Sequence, residues 1–144
     1  MRFDQSETFA AQVLLPAAAY DADNTPDAIA LGTAQSATIL IEVGAGGITF
    51  SGTNKVEFKL THADTSDGSY TAVADADVVG ATVGAGGIVL TLDEAHAAAT
   101  VTKLGYKGRK GFIKLLPDFS GTHGTATPMS ATVLTGNLES IAPA

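Results

Sequence analysis

The chain contains no cysteine and no tryptophan in its 144 residues. Without cysteine, disulfide staples and thiolate-ligated metal sites are excluded, and the redox compartment stays open. Charged residues are scarce at 16%, and aromatics supply only nine side chains, six Phe and three Tyr. Long hydrophobic runs are missing as well: none approaches the roughly 20 residues that cross a bilayer, so no membrane partner is expected. The opening Met1-Arg2-Phe3-Asp4-Gln5 lacks the basic-then-apolar layout of a signal peptide, which leads to the expectation of a protein made in the cytoplasm. Helical periodicity is nearly absent too.

What is abundant is glycine, sixteen residues of it, with alanine, threonine and valine. That mixture suits short strands joined by turns. The length fits one domain with a core large enough to hold without staples. The net charge of −7 is unevenly spread. Residues 1–102 carry thirteen acids against three bases, a net −10, whereas residues 103–144 carry five bases against two acids, a net +3. A globally acidic chain is a poor nucleic-acid binder, and no nucleic-acid partner is expected.

The hexapeptide Val43-Gly44-Ala45-Gly46-Gly47-Ile48 recurs unchanged as Val83-Gly84-Ala85-Gly86-Gly87-Ile88. A phosphate loop of the Walker type needs Lys and Ser/Thr directly after its glycines, and a dinucleotide loop needs a helix there. Here Ile48-Thr49-Phe50 and Ile88-Val89-Leu90 follow, which read as strand. Each copy is therefore expected to be a loop whose glycines take positive φ between β segments.

Residues 1–35 show little periodicity. Ala11–Pro16 reads as a short edge strand closed by Pro16, and residues 21–27 are dense in turn formers. The segment 1–35 is expected to be an arm that packs on the body or on a neighbour. From residue 36 a two-residue period is plain, and 36–144 is expected to be the β domain. Ile39, Ile41 and Val43 share one face, and Val56, Phe58 and Leu60 share another, opposite Lys55, Glu57, Lys59 and Thr61. An Asp67-Gly68 turn returns the chain into Tyr70–Val73. Further strands are expected at 86–92, 101–107, 111–116 and 129–135, with one short helix at Asp93–Thr100. The pattern implies an all-β fold, a β-sandwich or a jelly roll, between which spacing alone does not choose; a jelly-roll-like β-sandwich with an extended N-terminal arm is expected.

Catalytic and metal motifs fail on their chemistry. Asp93-Glu94-Ala95-His96 spells a helicase box, but that box works only beside a Walker loop. Asp21 and Asp23 begin a calcium-loop pattern that Pro26 interrupts. His62, His96 and His123 lack ligand spacing, and no nucleophile elbow occurs. No cofactor, metal or enzymatic activity is expected. The basic run from Lys103 to Lys114, punctuated by Gly105, Gly108 and Gly111, reads as two strands meeting at a turn. That turn is either a solvated hairpin tip or a patch that docks on an acidic partner.

Several stretches, taken in order, resemble small virion proteins of tailed bacteriophages. They are Leu14–Ala18, Ser36–Gly47, Val56–Asp64, Asp67–Val73, Asp75–Val78, Gly105–Lys114 and Ala131–Gly136. The resemblance spans most of residues 13–136 and implies a capsid decoration (cement) protein. Such a protein would bind outside the major capsid protein shell as a homotrimer and clamp neighbouring capsomers, so its location would be the virion surface. Head-completion and tail proteins, and a carbohydrate-binding or adhesive β-sandwich, are the alternatives. On this reading the candidate partner-binding residues are Lys103, Lys107, Arg109 and Lys110 in the basic run. In the arm they are Phe3, Phe9, Val13, Leu14 and Leu15.

Overall fold

The computed structural model describes residues 6–136. They form β1 (Phe9–Tyr20), β2 (Ile29–Ala30), β3 (Ser36–Val43), β4 (Lys55–Ala63), β5 (Thr71–Ala72), β6 (Val78–Val79), β7 (Ile88–Leu92), β8 (Thr100–Tyr106), β9 (Phe112–Ser120) and β10 (Thr127–Gly136). Two antiparallel sheets result. One is ordered β1-β10-β3-β8-β6. The other is ordered β2-β9-β4, with β5 and β7 sharing the far edge of β4. The fold is all-β, as the two-residue periods imply.

Ile39, Ile41 and Val43 on β3, and Val56, Phe58 and Leu60 on β4, are all buried. Side chains from both sheets, including Leu104, Val133, Ile113 and Leu115, belong to one apolar cluster. Each aliphatic side chain of this kind contributes about 1.5–3 kcal/mol when removed from water. The Asp67-Gly68 turn lays β5 back on β4, with Ala72 opposite Thr61 and Thr71 opposite His62.

The N-terminal segment expected to pack on the body or on a neighbour is joined to the body over residues 9–20. Residues 9–20 are a full strand whose register on β10 runs from Phe9 opposite Gly136 to Tyr20 opposite Thr127. A bulge between Val13 and Leu15 interrupts the alternation, so Leu14 and Leu15 both turn inward and are completely buried. These two leucines are core residues, not partner-binding ones. The physical reason is that a two-leucine run at a bulge can fill the space over Ala131 without leaving either side chain in water.

The helix expected at Asp93–Thr100 is also absent. The segment is irregular up to Thr100, which opens β8. Its residues carry the chain from β7 in one sheet to β8 in the other. An alanine-rich stretch this short cannot offset helix nucleation by itself.

The two glycine hexapeptides have the expected backbone but different jobs. Gly46, Gly47, Gly86 and Gly87 all have positive φ. The first copy carries the chain from β3 across to the sheet containing β4, and Ile48–Phe50 after it is not strand. The second closes a tight loop on itself, with Gly84 N–H donating to the Ile88 carbonyl at 2.8 Å.

Candidate functional site

The outer faces of the two sheets are dressed differently. In an antiparallel sheet, directly opposed residues share a face, so the register assigns every side chain. On the β2-β9-β4 sheet the outward positions include the mutually engaged Lys55, Glu57, Lys59, Lys114 and Asp118, beside Thr61, Phe112 and Leu116. Lys55 pairs with Glu57 at 2.7 Å, Lys59 pairs with Asp118, and the Lys114 ammonium sits 4.3 Å from the centre of the Tyr70 ring. This face is built for water.

The outer face of the β1-β10-β3-β8-β6 sheet is the opposite case. One outward row runs Ala11, Leu134, Thr38, Gly105, Val79, and the next runs Val13, Thr132, Leu40, Lys103. A third holds Ser130, Glu42 and Val101, and Phe9 lies beside Gly136 at the other end. The large hydrophobics exposed among the described residues are Phe9, Val13 (60%), Val79 (55%) and Val101 (63%), and all four stand on this face. Its outward rows carry one acid, Glu42, and one base, Lys103. Thr38, Thr132, Ser130 and Gly105 stand between these hydrophobics on the same rows, so the face is uncharged over most of its area rather than uniformly apolar.

The structure therefore brings Phe9, Val13 and Lys103 together on one surface, although they are far apart in sequence. Lys107, Arg109 and Lys110 lie elsewhere, in the turn between β8 and β9 at one end of the sheets. Phe3 lies outside the described residues. The basic turn borders an open groove of about 420 Å³ whose other wall is the 31–37 segment. Acids return to this turn from the first two-thirds of the chain. Lys110 is paired with Asp64 at 2.6 Å, and Lys107 N–H donates to the Asp77 carbonyl at 2.8 Å. Of the bases in the turn only Lys110 gains an acid partner, leaving Lys107 and Arg109 without an ion pair to any described residue.

Tyr106 anchors the base of the turn. Its hydroxyl is hydrogen-bonded to His62 Nδ1 at 2.8 Å and accepts the Lys110 N–H at 3.3 Å. Burial pushes its phenol above the ordinary value of 10.0, and the nearby Asp77 and Asp64 push the same way, against the Lys110 N–H. Burial likewise raises Tyr20 and Tyr70, and the hydrogen bond to Asp118 raises Lys59. All four groups hold their protons more tightly folded than unfolded. Their contribution is therefore complete below about pH 10 and is lost as pH rises through the folded values. Thermal melts should show a falling midpoint above about pH 10, and Tyr106→Phe should shrink that fall. At neutral pH the same substitution should cost about 1–3 kcal/mol, because it removes the partner of buried His62.

A feature not visible in the sequence lies at the opposite end. His96 stacks on Phe50 with ring centres 5.0 Å apart, and His123 meets Phe119 edge-on at 4.8 Å and Phe50 at 6.3 Å. His96 Nε2 is hydrogen-bonded to the Gly44 carbonyl at 3.1 Å and His123 Nε2 to the Ser120 carbonyl at 2.9 Å. The Nδ1 atoms of both rings are buried without a hydrogen-bond partner. The rings pin three crossover loops to one another. Among the described residues no group of three or more His, Asp or Glu is gathered as a metal site.

The arrangement thus combines a sheet face with exposed hydrophobics and a small cationic turn. No protein-family model, curated protein or solved structure matches this chain.

Proposed function

We propose that the protein is a noncatalytic structural module of a tailed-phage virion, a decoration protein that binds the outside of the capsid shell and stabilises it. The observation that carries this reading is the contrast between the two sheet faces, one carrying ion pairs, the other carrying the exposed large hydrophobics of the described residues. The strand order supports it. With β5 and β6 set aside as insertions, the first strand pairs with the last (β1–β10) and the second with the second-last (β2–β9). The third pairs with the third-last (β3–β8), and the innermost two pair with each other (β4–β7). That pairing order supports the reading of a long hairpin rolled into a jelly roll, an architecture used by viral capsid domains. The sequence resemblance to small virion proteins points the same way. Many weak copies on a repeating shell would bind through avidity.

Adding the purified protein to undecorated capsids tests the proposal. Saturable binding in a copy number that follows the capsid lattice is expected. Binding confined to the portal vertex or tail would favour the head-completion or tail alternative, and no binding to particles would end the decoration reading. Reversing Lys107 and Arg109 together should lower occupancy several-fold, most strongly at low salt, because long-range attraction is screened as salt rises. Lys110 is unsuitable for this experiment because it already holds Asp64.

A further inference from the structure

We infer that the apolar face of the β1-β10-β3-β8-β6 sheet is occupied by the same face of a second copy of this chain, related by a two-fold axis. Resting on the reading of that face as an assembly surface, the inference names its occupant in place of the trimer that the resemblance implies.

Charge is the first reason. The outward rows hold a single acid and a single base, Glu42 on β3 and Lys103 on β8, and neither is ion-paired to a described residue. They are diagonal neighbours, since Glu42 stands opposite Val101 and Lys103 opposite Leu40. A surface with one charge of each sign is complementary to itself. In an isologous contact residue i meets j and j meets i, so two Glu42–Lys103 pairs would form at once. An axis lying between the sheets and passing Leu40 and Val101 places Glu42 of one copy on Lys103 of the other. The same axis lays Val13 over Leu134. The strands of the two copies then cross steeply, within the orthogonal class of sheet packing.

Area is the second reason. The five strands hold 39 residues, from twelve in β1 to two in β6, and at about 4.8 Å between strands and about 3.4 Å per residue they make a face of about 600 Å². Two such faces in full overlap would bury about 1,200 Å², the lower bound of a stable specific interface. Under this axis Val101 meets its own copy and Val13 meets Leu134, which removes two of the four exposed large hydrophobics of the described residues from water.

The absence of cysteine makes the test clean, because any introduced thiol can cross-link only to another copy. The full-length protein should sediment as two chains at micromolar concentration. Glu42→Lys and Lys103→Glu should each weaken pairing at least about tenfold, and the doubly exchanged variant should return to within about threefold of the parent. Val101→Cys should give an oxidised dimer in high yield, whereas Thr91→Cys on the hydrated face should not. One chain or three chains in solution would overturn the inference, as would failure of the double exchange to restore pairing. Since the parent's mass is itself a readout, misfolding of a variant does not shield the proposal. Pairing without capsid binding would leave this inference standing and end the decoration reading, and capsid binding by a monomer would do the reverse.

Discussion

Gly87→Ala should destabilise the protein by about 2–4 kcal/mol, while Gly86→Ala one position earlier should cost only about 1–2 kcal/mol. Both glycines have positive φ, +77° and +85°, so both substitutions carry the steric penalty of a left-handed backbone. The difference is space. A Cβ at Gly86 finds only the end of the Lys59 side chain at 4.0 Å, which can move away. A Cβ at Gly87 lies 2.6 Å from the Leu60 carbonyl and 3.2 Å from Ala72 Cβ, where nothing flexible can yield. The same contact is where β4, β5 and the loop before β7 meet. Leu60 N–H donates to the Gly87 carbonyl at 2.9 Å, and Val73 N–H donates to the Leu60 carbonyl at 3.1 Å. Chemical denaturation of the two variants measures the contrast, and equal losses would show that backbone strain alone governs the loop.

The second large effect concerns the first strand. Leu14→Ala and Leu15→Ala should each cost about 2–5 kcal/mol, the range for truncating a fully buried leucine. Val13→Ala should change the stability of an isolated chain by no more than about 0.5 kcal/mol, since its side chain is exposed. If residues 9–20 acted only as an arm, all three substitutions would leave the melting transition unmoved. Removing residues 1–12 should destabilise the fold as well, because Phe9–Gln12 pair with Gly136–Val133.

The strands with strict alternation, β3 and β4, are legible in the sequence down to which side chains face inward. β1 is not, because its bulge sets two leucines inward in succession and Ala17–Ala19 carry no periodic signal. β2, β5 and β6 span two residues each, too short for a period to register. Alanine content near residue 95 suggests a helix only while the chain is considered locally. The crossing between sheets and the His96 contacts with Phe50 and Gly44 decide otherwise. The outer face of the β1-β10-β3-β8-β6 sheet shows the same limit. Phe9, Val13 and Lys103 stand out singly, but only the pairing of β1 with β10, β10 with β3 and β3 with β8 makes them one surface. The basic turn shows the reverse limit, since charge counted along the chain misses Asp64 folding back onto Lys110.

The pairing of β1 with β10 also sets a schedule for synthesis. Tyr20 must wait for Thr127 and Phe9 for Gly136 before either finds its ladder partner. At about 5–20 residues per second, that interval is about 5–25 s, during which Leu14 and Leu15 have no β10 beside them. Folding dominated by such distant pairings is slow and exposes the chain to aggregation. Release of the last strand from the ribosome is thus the event that closes the first sheet, and a nascent chain stalled before residue 127 should remain a client of chaperones.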